Sequence, residues 1–338
     1  MIDLRSDTVT KPTKDMMTAM MNAEVGDDVF NEDPTVIALE EKVADLFGME
    51  AALYCPSGTM TNQIAIRVHT KPQDEVICDQ RSHIYRYEGG GIANNSLISV
   101  RLLDGPRGIL SPDMVIDGIN PDDIHFPEST LVSLENTVNK GGGCYYTIDQ
   151  IAGIARVCQE KNLKLHMDGA RLFNALVETG ENPQEYGRYF DSISVCFSKG
   201  LGAPVGSALL GNKETIRRAK RVRKVFGGGM RQAGYLAAAC IYALDHHVDR
   251  LVEDHRKARV LGEALASWRL AEEVLPVDTN IVIVTLRDGH TPQQVLEKLK
   301  AQGVLAVPFG KKEIRFVTHL DYTDAQLDQT LKIIEDIS

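Results

Sequence analysis

No two cysteines in this chain are spaced as CxxC. The six present, Cys55, Cys78, Cys144, Cys158, Cys196 and Cys240, are scattered without interleaved histidines, which argues against a disulfide framework or a structural zinc site and predicts reduced thiols. No run approaches the ~20 apolar residues of a membrane span, and Met1-Ile2-Asp3-Leu4-Arg5-Ser6-Asp7 lacks the basic and then apolar layout of a signal peptide. The expected compartment is the cytoplasm, with no membrane partner and no metal. No GxGxxG follows an early strand, and Asn139-Lys140-Gly141-Gly142-Gly143 has no following Lys-Ser/Thr, so a nicotinamide site fits poorly and a P-loop is excluded. Positive charge is in short supply: 37 Lys and Arg stand against 47 Asp and Glu, a net charge of −10. No nucleic-acid partner is expected, and small-molecule chemistry is favoured.

What remains is an ordinary globular composition, 43% hydrophobic over 338 residues, long enough for a major and a minor domain. The pattern divides into an N-terminal arm (1–30), a large domain (31–247) and a small C-terminal α/β domain (248–338). In the large domain, β-prone runs alternate with helical ones, as in a mostly parallel sheet flanked by helices. Asn139 to Gly143 reads as a flexible turn. A Lys/Arg-rich helix, Ile216 to Lys224, reads as a solvated face or a contact with acidic residues of a second subunit. His166 falls within a strand, on the face opposite Leu165 and Met167.

The stretch Ser194-Val195-Cys196-Phe197-Ser198-Lys199-Gly200-Leu201-Gly202 organises the rest. A short apolar strand delivers one Lys into a turn of small residues, where an amine can be desolvated and made nucleophilic. Upstream, Leu163 to Met167 releases Asp168 at a neighbouring strand end. Earlier still, Ala52 to Cys55, then Pro56-Ser57-Gly58-Thr59 and a helix, build a phosphate-type site from free backbone N–H groups and the helix dipole. A Lys for an imine, a carboxylate for a pyridine nitrogen and donors for a phosphate are together the requirements of pyridoxal 5'-phosphate. His83 follows directly after a strand, where open α/β sheets bind ligands. Arg231, in the turn Gly227-Gly228-Gly229-Met230-Arg231, is a candidate phosphate contact. Arg315, mid-strand, suits bidentate recognition of a substrate carboxylate, unless it faces solvent on an edge strand.

The blocks IDLRSDTVT, GDDVF with DPTV, PSGTMTNQ, HMDGARLFNA, FSKGLGAPVGS, GGGMRQAG and IRFVTHLD, in this order from residue 2 to 321, resemble the low-specificity L-threonine aldolases and their L-allo-threonine relatives. The resemblance implies a fold type I pyridoxal phosphate enzyme, a homotetramer with sites shared between subunits. It also implies an amino-acid substrate, L-threonine or L-allo-threonine, cleaved to glycine and an aldehyde. It implies Lys199 as the imine lysine and Asp168 as the pyridine-nitrogen partner. His83 becomes the histidine stacked on the ring, Gly58 and Thr59 the phosphate contacts, and Arg171 an arginine near the ring hydroxyl and the substrate. Ser6 and Arg315 become the carboxylate-holding groups, and His125 the second active-site histidine. Two departures bear on substrate preference and rate. Phe30 stands where the family often has Tyr, and Val138 where it usually has His, with Cys144-Tyr145-Tyr146 replacing an apolar-Pro sequence. Another fold type I enzyme, such as a β-eliminating lyase, would share Lys199 and Asp168.

Overall fold

Aliphatic runs closed by Gly, Pro, Ser and Asp become short strands, and the longer amphipathic runs between them become helices. The computed structural model describes residues 1–337. The chain starts with β1 (Ile2–Asp3) and then builds a large sheet from β2 (Ala51–Cys55), β3 (Glu75–Asp79), β4 (Ser99–Leu103), β5 (Ser129–Glu135), β6 (Lys164–Gly169), β7 (Ser192–Cys196) and β8 (Ser207–Gly211). The order is β2-β8-β7-β6-β5-β3-β4. Only β8 runs against its neighbours; β4, β3, β5, β6 and β7 pair in parallel. Strands β3, β7 and β8 are buried along their whole length, as expected where helices cover both faces of a sheet.

Because these strands run parallel, their carboxyl ends share one edge, where open α/β sheets bind ligands. That edge therefore collects Glu135 from β5, Asp168 from β6, and, just past β3 and β7, His83 and Lys199. The helix Gly58–His69 starts at the same edge, its first turn capped by the Ser57 hydroxyl, which accepts from the Met60 N–H at 3.2 Å.

The small domain is a second sheet formed by β9 (Ala271–Val274), β10 (Ile281–Leu286), β12 (Val307–Pro308) and β13 (Glu313–Val317), with β11 (Val304–Leu305) beside it. Its core gathers Leu261, Leu265, Trp268, Val282, Val284, Phe316 and Leu327. The N-terminal arm, too polar to be stable alone, lies on the small domain. Strand β1 pairs in parallel with β11, and Ile2 and Leu4 lie in the small-domain core. Apolar burial overrides the polar look of the segment, so both chain ends belong to one layer.

The basic helix, Lys213–Val225, finds a partner within the chain. Arg223 is buried against Asp28 at 2.8 Å and donates to the Tyr54 carbonyl at 2.6 Å. All six cysteines are free and buried. Among the described residues no helix is long and apolar enough to cross a membrane.

Beneath the helix Gly58–His69 runs a polar seam, unusual for a helix-to-sheet contact. Thr61 meets Ser194 (2.6 Å), Asn62 meets His166 (3.1 Å), and His69 meets Ser192 (2.9 Å). His166 is fully buried, and burial, helped by the nearby His69 ring and opposed by a backbone hydrogen bond at Ser192, pushes it down from 6.5 to about 3. Unfolding would restore ordinary proton affinity, so the unfolded chain binds more protons below pH 6.5 and stability is lost as pH falls towards the folded value. Denaturant unfolding should show stability dropping by on the order of 1 kcal/mol per pH unit from this group below about pH 6. His166→Gln should flatten that part of the slope.

Candidate active site

Lys199 sits in a loop that closes on itself. The Phe197 N–H donates to the Gly206 carbonyl (3.0 Å), the Ala203 N–H to the Phe197 carbonyl (3.1 Å), and the Gly202 N–H to the Lys199 carbonyl (2.8 Å). Gly206, at φ +139°, has no room for a side chain, because a Cβ there would lie 2.6 Å from the Cys240 sulfur. The loop thus holds a half-buried lysine at the rim of a cleft of about 380 Å³. His83, Tyr87, Glu135, Asn139 and Arg171 line it from the large domain. Ser6, Thr8, Phe309 and Arg315 close it from the N-terminal segment and the small domain.

The electrostatics are built around carboxylates at strand ends. Asp168 is buried, its Oδ1 accepts from the Ala170 N–H (3.2 Å), and its Oδ2 has no hydrogen-bond partner among the described residues. The ligand atoms of Asp168, His83 and Glu88 lie within 4.8 Å of one another. Burial pulls the His83 imidazole down. The hydrogen bond to Glu88 and the negative charges of Asp168, Glu88 and Glu135 outweigh it and hold the ring above its ordinary value. Glu135 accepts from the backbone N–H groups of His83 (2.7 Å) and Asn139 (2.8 Å). Burial first, and then the Asp168 charge, push its carboxyl up to about 7.

Arg171 and Asp7 form a buried bidentate pair, both contacts 2.7 Å. Burial alone would raise the Asp7 carboxyl, but the Arg171 charge and hydrogen bonds bring it down to about 2. Asn280, from the small domain, adds a third donor to Asp7 at 3.2 Å. Arg315 lies in β13 between β12 and β10, so the edge-strand alternative does not hold. It donates to the Asn139 side chain (2.7 Å) and the Arg5 carbonyl (2.9 Å), and its carbon centre lies 4.8 Å from the Phe309 ring centroid. Its Nε is buried without a partner. Burial first, then the charge of Arg171, push its guanidinium down to about 10, with Asp7 opposing. A desolvated cation with an unused donor suits an incoming carboxylate.

Lys199, Asp168, His83, Arg171, Ser6 and Arg315 are therefore brought around one cleft, with Gly58 and Thr59 at the same sheet edge. Two expected site residues are not. His125 stands on an exposed loop between Ile124 and Phe126, paired with Asp123 at 2.7 Å. Arg231 is exposed and paired with Asp27 at 2.9 Å, its carbon centre 6.0 Å from the Phe30 ring. Neither reaches the cleft of its own chain, because each lies on a loop directed outward. Val138 is buried in the core and packs under Gly108. The turn expected to be flexible is ordered: Asn139–Gly141 is a short 3-10 helix, and Lys140 donates to the Phe309 carbonyl at 2.5 Å. Glu135 is marked in the sequence only as a polar residue at a strand terminus, and Asp7, Glu88 and Asn139 carry no site signal there. Asn139 opens a 3-10 helix four residues past the end of β5, and Asp7 and Glu88 acquire their partners only in the fold.

Pyridoxal phosphate can be tested against these residues. Asp168 Oδ2 is a buried acceptor lacking a donor, the lysine amine lies across a neighbouring strand end, and the first N–H groups of the helix Gly58–His69 lack intrahelical acceptors. The donor set fits.

Residues 3–289 match the family described as Beta-eliminating lyase. The chain is 46% identical over 331 residues to the low specificity L-threonine aldolase of Escherichia coli strain K12, covering 97% of this chain and 96% of that protein. It is 40% identical over 338 residues to the low-specificity L-threonine aldolase of Candida albicans, covering 98% and 88%. Among solved structures, Leishmania major threonine aldolase superposes with a TM-score of 0.85 at 20% identity, covering 99% of each chain. Sphingomonas wittichii serine palmitoyltransferase gives 0.77 at 18% identity, covering 99% of this chain and 86% of that one. Likeness at these identities speaks for the fold, and two different chemistries share it.

Removing the Asp7 charge leaves Arg171 buried and uncompensated. Asp7→Asn should lower the unfolding free energy at pH 7 by roughly 3 kcal/mol. Adding Arg171→Met to it should recover part of the loss in urea melts, as expected for a coupled pair.

Proposed function

This chain belongs to the beta-eliminating lyase family and, within it, to the low-specificity L-threonine aldolases, and from that premise we propose that it cleaves L-threonine, L-allo-threonine and related β-hydroxy-α-amino acids to glycine and an aldehyde. The observation that carries the reading in the structure is the unpartnered Asp168 oxygen at a strand end next to the one that leads to Lys199. Pyridoxal phosphate, when bound, supplies an electron sink for the α-carbon of the substrate. Lys199 would hold its carbonyl carbon, Asp168 its ring nitrogen, the Gly58 and Thr59 N–H groups its phosphate, and His83 one face of the ring.

The chain's own groups then divide the work. Arg315, through its free Nε, and Ser6 bind the substrate carboxylate and orient the Cα–Cβ bond. Arg171, fixed by Asp7, adds positive charge on the same side. His83 Nδ1 is occupied by Glu88 at 3.0 Å, while no described residue hydrogen-bonds Nε2. Nε2 is the atom that takes the β-hydroxyl proton, so that the Cα–Cβ bond breaks and the aldehyde departs. Lys199 returns a proton towards Cα as glycine leaves. Support for a shared, tetrameric arrangement comes from His125, Phe30 and Arg231, which lie outside the cleft of their own chain on exposed segments.

Incubation of the purified protein with pyridoxal phosphate and either threonine diastereomer should release glycine and acetaldehyde in equal amounts. Release of ammonia and a keto acid would favour the β-eliminating alternative. Lys199→Ala should lower turnover at least about a thousandfold, as expected for loss of a covalent-catalysis residue.

A further inference from the structure

The polar seam under the helix Gly58–His69 continues into the cleft as an unbroken run of side chains. His83 Nδ1 meets Glu88 Oε1 at 3.0 Å, and the same oxygen accepts from Asn62 Nδ2 at 2.9 Å. Asn62 Oδ1 meets His166 Nε2 at 3.1 Å, and His166 Nδ1 meets the Ser192 hydroxyl at 2.9 Å. Ser192 in turn meets His69 Nε2 at 2.9 Å. The other Glu88 oxygen accepts from Gln63 at 2.6 Å. Asn62, Gln63, Glu88, His166 and Ser192 are all buried.

Donor and acceptor chemistry gives this run one direction. A carboxylate only accepts, so Asn62 presents its NH₂ to Glu88 and its carbonyl oxygen to His166. His166 Nε2 must then carry the proton. A neutral buried ring leaves Nδ1 as the acceptor, and the Ser192 hydroxyl supplies the donor. The Ser192 carbonyl, 3.2 Å from the same nitrogen, is the longer contact. The hydroxyl oxygen is left to accept from the His69 Nε2–H. Turning the run around would set an amide oxygen against a carboxylate oxygen in a buried site, where an unmade hydrogen bond is most costly.

We propose that His166 is a positioning residue for His83: through Asn62 and Glu88 it fixes the proton of the His83 ring on Nδ1 and keeps Nε2 open to the cleft. His166 touches neither cleft nor substrate. It lies on the same face of β6 as Asp168, two residues away, so one strand sets both the carboxylate of the site and the tautomer of its histidine. The proposal rests on the functional reading only in taking His83 Nε2 as the group that meets the substrate.

Besides Glu88, the titratable groups facing His83 are Tyr87 on its own segment, Glu135 at the end of β5 and Asp168 at the end of β6. Arg171, Lys199 and Arg315 share the cleft. Of these, only Glu88 is held by the run, which makes the His83 titration a specific readout. In pyridoxal phosphate-loaded protein, His166→Leu should lower kcat about tenfold, the scale of a misaligned general base, with KM within about twofold. The acid limb of the kcat profile should move to lower pH, because a loosened Glu88 raises the His83 proton affinity less. His166→Gln, which keeps an N–H for Asn62, should restore both. An unmoved acid limb in folded His166→Leu, or a folded His166→Gln that restores neither, would overturn the proposal.

Nitrogen NMR of histidine-labelled wild-type protein provides a second test, independent of variant folding and of turnover. It should show His166 protonated at Nε2 and not at Nδ1, and His83 protonated at Nδ1 at neutral pH. The opposite His166 tautomer would overturn the proposal. Absence of threonine cleavage with the expected tautomers would instead count against the functional reading alone.

Discussion

A carboxylate oxygen kept dry and unpartnered at the end of β6 is the constraint on which the site depends. Leaving such an atom without a donor costs on the order of 1–3 kcal/mol, and the fold carries that cost at the edge of the cleft. A His83 ring nitrogen and an Asp168 carboxylate oxygen lie within 4.8 Å of each other, and Lys199 and Arg171 line the cleft. The parallel sheet makes this possible, because strands that run the same way bring their carboxyl ends, and hence their acids, to one edge. Glu135 arrives there too, buried near the Asp168 charge. Burial first, and the Asp168 charge second, raise its carboxyl to about 7.

The second determinant is the Asp7 to Arg171 pair. Strand β1 anchors the chain start to the small domain, and a few residues later Asp7 crosses to the large domain, with Asn280 supporting it from behind. One carboxylate thus joins the N-terminal segment, both layers and the site. Arg315 completes the clamp from the other side, held by Asn139 and stacked near Phe309, whose carbonyl Lys140 grips. Closure of the cleft is therefore built into the packing of the two sheets.

Legibility in the sequence followed range. Lys199, Asp168 and the Gly58 turn could be read because strand, turn and residue type are local, and Arg315 because a charged residue in an apolar strand is conspicuous. Asp7 could not, since its partner is 164 positions away. His166 could be placed on its strand face, but its importance comes from Asn62, 104 positions away, and from Ser192 on the adjacent strand. Family resemblance points His125, and the glycine turn Arg231, to the site, and the chain by itself leaves both outside. Val138, read as a departure near the site, packs in the core under Gly108. The basic helix is largely the solvated face its composition suggests, but it hides Arg223 against Asp28, a pairing that no local pattern reveals.

The central claim is that Lys199 is the covalent anchor for pyridoxal phosphate. The most direct test is borohydride reduction of the purified protein with pyridoxal phosphate present, followed by peptide mapping of the fixed adduct. The account predicts stoichiometric label on Lys199 alone. Label spread over surface lysines, or a protein that reduction leaves unmodified, would contradict it.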